Sequence, residues 1–567
     1  MKNLIPALDW IQNYKKEYLT GDLTAGLTVG VMLIPQGMAY SMLAGLPPIY
    51  GLYASTIPLI IYALFGTSRQ LAVGPVAMVA LLISSGVGAL ATIGSNEFIA
   101  LAILLALMVG VIQFAMGIFK LGFLVNFLSH PVIAGFTSAA AIIIGFSQLK
   151  HLLGFNIPRG KVHEIILNVI ENFGSINVPT LLIGAGAIAL LLIIKSINKK
   201  IPGPLLAVLF GIGAVYFLGL HEQGVKIVKD VPGGLDIFGI PSIDLTSVTS
   251  LIPVALTIAF IGFMESIAVA KAIQAKHKDY EVTANKELIG LGLANIIGSF
   301  FKAFPVTGGF SRTAVNDQAG ARTGLSSIIS AVLIIFTLLF LTEYFYFLPN
   351  AILAAIIMVA VFGLIDIKEA KHLLKNDRGD FYLFLITAIG TLTLGIESGI
   401  LLGVVLSIAL VIYKVSYPHV AVLGNVPGTD EFRNIRRFAD LETYEDKLIL
   451  RFDAQLYFAN SNYFKDFVIS SIHKNPRISH VILDARAVSS IDSSAIHMLH
   501  DLIIDLKNQN IALHIVEAIG PLRDKFKKNG ITDLMGKEQF HLSIQHAVAS
   551  IDNGELIDNP VYALQTN

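Results

Sequence analysis

The sequence predicts a polytopic α-helical membrane protein followed by a small α/β domain, and three observations carry that prediction. Apolar residues make up 54% of the 567-residue chain and charged residues only 14%, a charged share well below the roughly one quarter usual in soluble domains. The apolar residues come in long blocks, two of which break at glycine and proline, in Leu71-Ala72-Val73-Gly74-Pro75-Val76-Ala77 and in Phe304-Pro305-Val306-Thr307-Gly308-Gly309-Phe310-Ser311-Arg312. After Pro418 the apolar blocks shorten and charges become frequent.

About 20 apolar residues cross a bilayer as a helix. In chain order the candidates are Leu23–Leu43, Ile49–Phe65, a half-helix from Pro75, Phe98–Phe119, Val132–Leu149, Val178–Ile194 and Leu205–Leu220. The second half supplies Leu251–Ala272, Leu288–Phe301, a half-helix from Ser311, Leu325–Phe345, Ala351–Ile365, Phe381–Ile396 and Ile400–Tyr417. Two equal sets fit an internal duplication, and an odd number of spans in each set forces the two copies into opposite orientations.

The two breaks are the chemically informative positions. Peptide groups in hydrocarbon must be hydrogen-bonded, so a non-helical segment at that depth survives only where it lines a cavity or hydrated site. Gly74 frees the backbone and Pro75 suits a first helical turn. A helix restarting at Ser311 aims unpaired N–H groups, with partial positive charge, into such a site, and that end attracts anions. Taken singly, a glycine that permits close helix packing or a proline that kinks a helix would explain either break. Their occurrence in corresponding halves is the mark of a transporter whose site lies between broken helices.

Short basic connections at Lys195/Lys199/Lys200, Lys271/Lys276/Lys278 and Lys368/Lys371/Lys375/Arg378 fall on one side in this threading. The positive-inside rule makes that side cytoplasmic, together with both termini. The opposite loops are mixed, with Arg159 and Lys161 beside Glu164 and Glu171, and Lys226 and Lys229 beside Asp230, Asp236 and Asp244. Met1–Thr20 is polar and carries Trp10, Tyr14, Lys15, Lys16 and Tyr18, an amphipathic interfacial lead-in to the lipid surface. Forty basic residues balance forty acidic ones, which gives no reason to expect a nucleic-acid partner. With no cysteine in the chain, disulfides, thiolate metal sites and cysteine nucleophiles are excluded. No nucleophile–base pair suggests an enzyme, and no cofactor or metal is expected.

In the tail, Leu448–Asp453, Val481–Asp484 and Ile511–Val516 read as strands, and Asn462–Lys474 and Ser494–Leu506 as helices. That alternation predicts a small α/β sheet domain, without a phosphate-binding loop or a dinucleotide fingerprint. The boundaries expected are 1–420 for the membrane domain and 435–555 for the soluble one. The histidines, such as His497, His500 and His514, lack a convincing metal-ligand spacing and call only for surface or packing roles.

Ile34-Pro35-Gln36-Gly37-Met38-Ala39-Tyr40, Ala44-Gly45-Leu46-Pro47-Pro48-Ile49-Tyr50-Gly51-Leu52-Tyr53, Ala294-Asn295-Ile296-Ile297-Gly298-Ser299-Phe300-Phe301 and Pro305–Arg312 together resemble the sulfate permease (SulP) family of anion transporters. Ile491-Asp492-Ser493-Ser494-Ala495 resembles the STAS domain that ends these permeases, with Ala495 where stand-alone anti-sigma-factor antagonists usually have glycine. The resemblance spans essentially the whole chain. It implies seven plus seven inverted spans divided into a core and a gate, a cytoplasmic STAS domain and a homodimer. It also implies an anion held between the starts of the third and tenth spans.

Those starts make Gly74, Pro75, Val76, Gly309, Phe310, Ser311 and Arg312 the expected substrate-binding residues. Ser311 can donate its hydroxyl and its amide or simply cap the helix, and Arg312 adds a permanent charge to the local field. A bidentate grip by that arginine would hold the substrate too tightly for rapid turnover, so backbone dipoles are the expected carrier. Gln36 and Tyr40 stand one turn apart on the first span, a face that by resemblance closes the pocket. Glu265, deep in the eighth span, is costly there and therefore a functional candidate. It is expected to carry the coupling proton, or to ligate sodium, unless it forms a structural ion pair with Arg312 or a lysine. Ser493 matches the serine phosphorylated in the stand-alone antagonists and is a possible regulatory site, although a helix cap formed with Asp492 explains it as well.

The function expected is secondary active uptake of a small oxyanion, most directly sulfate with a proton, across the inner or plasma membrane by an elevator-like displacement. Relatives with this architecture also imply sodium-coupled bicarbonate or proton-coupled dicarboxylate transport as alternatives. A reading of another class is a membrane-tethered STAS signalling scaffold.

Overall fold

Backbone that crosses lipid satisfies its own polar groups as helix, and the apolar blocks do so. The computed structural model describes residues 5–123, 129–158, 160–197, 202–234, 238–277 and 279–554. Arg159, Lys199, Lys200, Asp236 and Lys278, named above, lie outside the described residues. Among the described residues seven helical stretches are long and apolar enough to cross a membrane: Tyr18–Ala44, Asn96–Ile118, His130–Leu153, Val178–Ile197, Leu245–Gln274, Asn350–Asn376 and Ser398–Ser416. Ile49–Phe65, Ala77–Ala89, Gly203–Leu218 and Leu325–Phe340 are shorter apolar helices. With Ala284–Ser299, Phe310–Gln318 and Arg378–Leu394 they occupy every stretch that the sequence marks as a span.

Three details differ from the sequence reading. The second span is two helices, Ile49–Tyr53 and Ile57–Phe65. The half-helices begin at Ala77 and Phe310, with Val76 and Gly309 at their N-caps, so Ser311 lies inside the first turn and is not the cap. The segments leading into them, β1 (Val73–Gly74) and β2 (Thr307–Gly308), pair as an antiparallel two-stranded sheet that apolar periodicity does not announce.

Helices in lipid approach closely where side chains are small. A Cβ on Gly51 would sit 1.9 Å from the carbonyl oxygen of Gly37, so the first two spans touch backbone to backbone. Pro35 lies within the Tyr18–Ala44 helix without ending it.

The chain divides into two compact units between Ser407 and Ile408, inside the last long helix. The second unit holds a six-stranded sheet of β3 (Val420–Asn425), β4 (Phe432–Asn434), β5 (Lys447–Phe452), β6 (His480–Asp484), β7 (Ala512–Val516) and β8 (Phe540–His541), in the order β4-β3-β5-β6-β7-β8. β5 to β8 run parallel, and β3 and β4 join antiparallel at one edge. Helices Ser461–Lys474 and Ser493–Asn508 bury Phe464, Val468, Leu499 and Leu502 against Leu450, Phe452, Val481 and Leu483. The sequence located β5, β6, β7 and these two helices; β3, β4, β8 and the helix Ile544–Asn553 escaped it.

Asp492 caps the Ser493–Asn508 helix by accepting from the Ala495 amide at 2.8 Å, which leaves Ser493 exposed as the first helical residue. His514 is not a scattered histidine. Its Nε2 meets His480 Nδ1 at 3.1 Å and its Nδ1 meets His541 Nε2 at 3.0 Å, while His541 Nδ1 lies 3.3 Å from His546 Nδ1. Four imidazoles thus form a row across β6, β7, β8 and the last helix. Among the described residues no group of three or more histidines and carboxylates has metal-holding geometry.

Candidate functional site at the meeting of two interrupted helices

The register Val73↔Gly308 and Gly74↔Thr307 lays the two breaks side by side. The Gly309 amide extends the pairing by donating to the Ala72 carbonyl at 3.1 Å, and the Ala72 amide donates to Thr313 Oγ1 at 3.0 Å. Because the strands are antiparallel, the helices that follow them leave in opposite directions. Their amino ends, with unpaired N–H groups and positive partial charge, therefore face one place.

Side chains from three further helices hold this junction. Ser266 Oγ, on the Leu245–Gln274 helix, accepts from the Gly308 amide at 2.8 Å and shares a 2.7 Å bond with Thr307 Oγ1. Thr307 Oγ1 also donates to the Gly262 carbonyl. The Asn295 side chain accepts from the Val306 amide at 2.8 Å and donates to the Val306 carbonyl and to Gln113 Oε1, each at 3.1 Å. Glu287, fully buried, accepts from Tyr62 Oη and the Thr67 amide at 2.6 Å and from the Ser68 amide at 3.1 Å, which fixes the turn leading to β1. None of these holding residues came out of the sequence reading except Asn295, quoted there only as part of a motif. For Gln113 and Asn295 the signal was available, since each is polar within an otherwise apolar stretch.

Arg312 occupies the centre of the junction. Its side chain is 2% exposed, and one guanidinium nitrogen, Nη1, donates to the Pro75 carbonyl at 2.8 Å. Arg312 thereby ties one half-helix to the approach of the other. Its Nε and Nη2 are buried with no hydrogen-bond partner. A Cβ on Gly309 would stand 2.7 Å from the guanidinium carbon, so a side chain there would push the guanidinium from its place. At Gly74 a Cβ would stand 3.5 Å from both Nη2 and Leu33 Cδ1, which places the first span beside the same group.

On that span Gln36 and Tyr40 are each 5% exposed, and Gln36 Oε1 has no partner. Tyr40, Arg312 and Glu265 lie close enough to act on one another electrostatically. Glu265 is half-buried and makes no ion pair among the described residues, so the structural pair with Arg312 or a lysine that the sequence allowed is not what its carboxylate does. Gly74, Val76, Gly309, Arg312, Gln36 and Tyr40 are thus enclosed together, whereas Phe310, 62% exposed, and Ser311 project from the half-helix outside that cluster.

A guanidinium cannot discharge by losing its proton. Buried with two idle donors, and with the nearby Glu265 making no ion pair to it among the described residues, Arg312 holds a positive charge without a hydrogen-bonded counter-ion, a costly arrangement unless an anion completes it. The sequence reading gave the leading role to backbone dipoles. The geometry adds a single monodentate anchor that leaves two guanidinium nitrogens to share with a ligand.

Residues 19–387 match the profile of the sulfate permease family, and residues 438–547 match the STAS domain. The chain is 42% identical to Sulfate transporter 4.1, chloroplastic, of Arabidopsis thaliana, over 96% of this chain and 82% of that protein. It is 34% identical to High affinity sulfate transporter 2 of Stylosanthes hamata, over 97% and 86%. Among solved structures it resembles the murine Solute Carrier 26 family member A9 anion transporter in the inward-facing state, with TM-score 0.90 and 26% identity over 97% of this chain and 94% of that one. The transmembrane domain of the cyanobacterial bicarbonate transporter BicA shares the fold, with TM-score 0.61 and 23% identity over 70% of this chain and 98% of that one. Fold, tail domain and near-full-length likeness agree: the chain belongs to the sulfate permease family, a helical membrane transporter with a carboxyl-terminal STAS domain and not an enzyme.

Proposed function

We propose that this protein carries a small oxyanion, sulfate in the first instance, across a membrane, binding it at Arg312 between the amino ends of Ala77–Gly86 and Phe310–Gln318. The observation that carries this reading is the buried guanidinium with Nε and Nη2 unpartnered. The near-full-length likeness to sulfate transporters supports sulfate as the substrate. Gln36, Tyr40, Gly74, Pro75, Val76 and Gly309 enclose the anion in this reading, and Phe310 and Ser311 meet it on the open side of the half-helix. Transport then belongs to residues 1–420, with the STAS domain, residues 435–555, as its regulator and Ser493 as a point of modification.

Glu265 supplies the coupling. An ionised carboxylate near Arg312 repels a dianion, and a proton on Glu265 removes the repulsion, so proton and anion favour each other's binding by the same factor. Hydrogen bonds lace the Asn96–Ile118, Leu245–Gln274 and Ala284–Ser299 helices to one another and to β2, which supports movement of the loaded site as one body, as an elevator requires. The basic loops support cytoplasmic termini, and we assign the protein to the inner or plasma membrane as a homodimer.

The decisive experiment is uptake of labelled sulfate, bicarbonate and succinate by liposomes holding the full chain under imposed pH or sodium gradients, repeated with Glu265→Gln. Proton-driven sulfate uptake that becomes gradient-independent exchange in the variant supports the proposal. Preference for bicarbonate under a sodium gradient, or for succinate, replaces the substrate assignment. No flux of any of the three leaves the tethered scaffold as the better reading.

A further inference from the structure

The helix Ile367–Asn376 lies between the spans Asn350–Phe362 and Arg378–Leu394, which leave and re-enter the bilayer at one face. We propose that this helix is a recognition surface for the headgroups of anionic phospholipids, which fasten its part of the membrane unit to the lipid while the anion site moves. The proposal rests on the orientation and movement given above, which put this face in the cytoplasm, and adds a partner to them.

Placement is the first argument. The Asp366 amide donates to Ser138 Oγ at 3.1 Å, and Ser138 lies about two turns inside the His130–Ser147 helix. Three residues later, Glu369 Oε1 is 3.3 Å from Nδ1 of His130, the residue that opens that same helix. The chain thus climbs from the depth of the apolar spans to their ends as the helix begins. Both contacts fix it to a span that does not hold β1 or β2.

The distribution of side chains is the second argument. A helix at the membrane boundary turns an apolar edge to the acyl chains and a basic edge to the headgroups. Ile367 and Leu374, two turns apart on one edge, are 61% and 53% exposed, whereas Leu373 is buried against the protein. Lys368, Lys371 and Lys375 follow one another a turn at a time in the next strip, all exposed. Their stems can lie along apolar surface while the ammonium groups reach the polar layer. Phe362, at the end of the preceding span, and Tyr382, early in the following one, are exposed as well, so lipid-facing surface continues on both sides of the helix.

Charge is the third argument. Among the described residues no hydrogen bond or ion pair holds Lys368, Lys371 or Lys375. The carboxylates of this stretch sit at the helix ends or on its inner edge and have other work. Asp366 accepts from the Glu369 amide at 2.9 Å, Glu369 meets His130, Asp377 accepts from the Gly379 amide at 2.9 Å, and Asp380 is half-buried in the first turn of the next span. The strip itself is basic. An anionic leaflet attracts each basic group near its surface, and the attraction sums over the three lysines. A small soluble anion would find no enclosing wall on this outward strip.

The lack of cysteine in the chain allows a single label, so His372→Cys, beside the strip, takes a thiol-reactive fluorophore. The full-length protein is placed in phosphatidylcholine vesicles that hold equal small fractions of either brominated phosphatidylserine or brominated phosphatidylcholine. Brominated phosphatidylserine is expected to quench about threefold more strongly, and salt near 1 M to erase the preference. Lys368→Gln, Lys371→Gln and Lys375→Gln combined should abolish it, and Lys368→Arg, Lys371→Arg and Lys375→Arg combined should keep it. Equal quenching by the two lipids in the parent overturns the proposal, and so does competition by soluble phosphoserine. Sulfate uptake in vesicles with phosphatidylserine should exceed that in phosphatidylcholine alone about threefold, and the combined glutamine variant should lose this gain. Uptake lowered equally by that variant in both kinds of vesicle would assign the strip to a protein surface and overturn the lipid reading. Lipid preference without sulfate flux would overturn transport and keep the lipid surface; flux without lipid preference would do the reverse.

Discussion

Arg312 in the membrane unit and His514 in the soluble unit are both buried nitrogen bases, 2% and 7% exposed, and burial has opposite consequences for them. The guanidinium keeps its charge, so its surroundings must supply an anion or leave two donors idle. The imidazole discharges. Burial pushes His514 down to about 3 and His541 down to about 4 from the ordinary 6.5, and each neutral ring offers one N–H and one acceptor to its neighbours. With the two inner rings neutral, a single run of tautomers satisfies the three N···N contacts. A proton added to an inner ring sets two donors face to face. The comparison teaches that a buried base able to lose its proton can serve as a structural seam, whereas one unable to do so keeps a charge that calls for an anion.

The sharpest way to break the comparison is to let the receptor discharge. Arg312→Gln is expected to reduce sulfate uptake by about a hundredfold or more, from loss of charge-assisted hydrogen bonds, and uptake within tenfold of the parent would refute the receptor role. Arg312→Lys keeps the charge but not the fork, and should recover only a small part of the activity.

Next in size is Glu265→Gln, which fixes the carboxyl in its neutral form. Gradient-driven accumulation should fall about tenfold while sulfate–sulfate exchange persists. Accumulation that still follows the pH gradient removes Glu265 from coupling.

Acidification tests the seam. The histidine pKa values are depressed in the folded state, so the unfolded chain binds more protons between about 4 and 6.5. Stability is therefore fully present above 6.5 and is lost as pH falls through that window. Asp446, Lys447 and Asp552 act on the His480 end of the row, with the carboxylates there partly opposing the effect of burial. Amide hydrogen exchange in β8 and Ile544–Asn553 should quicken roughly tenfold from pH 7.5 to 5.5 relative to β5, after correction for intrinsic rates. His514→Leu should flatten that dependence, and an unchanged slope would dissociate it from the row.

The smallest expected effect concerns the tail helix cap. Asp492→Ala should cost the soluble unit about 1 kcal/mol. Ser493→Ala, which removes an exposed hydroxyl that is not the cap, should cost less than about 0.5 kcal/mol. Thermal unfolding of the two variants reads the difference, and equal losses would return the capping role to Ser493.

Much of this architecture was legible in the chain itself. Apolar length marked the fourteen membrane stretches, helix breakers marked Gly74-Pro75 and Gly308-Gly309, and alternation marked β5, β6 and β7. Glu265 and Arg312 stood out because a charge within an apolar block is rare. The holding residues Ser266, Gln113 and Glu287 were passed over because a single polar residue in a span does not declare what it faces. The short strands β1 and β2 carry no period that could announce them.

The sequence by itself determined which segments enter the membrane, where two of them stop short, and that a soluble sheet domain follows, because hydrophobic length and backbone freedom are properties of neighbouring residues. Only the tertiary structure decided that residues 73–74 and 307–308 pair, that Arg312 is sealed beneath Pro75 with two donors idle, and that four histidines from β6, β7, β8 and the last helix align. Those outcomes depend on contacts between distant parts of the chain, and packing chooses such contacts by burial and hydrogen-bond satisfaction, which no local pattern encodes.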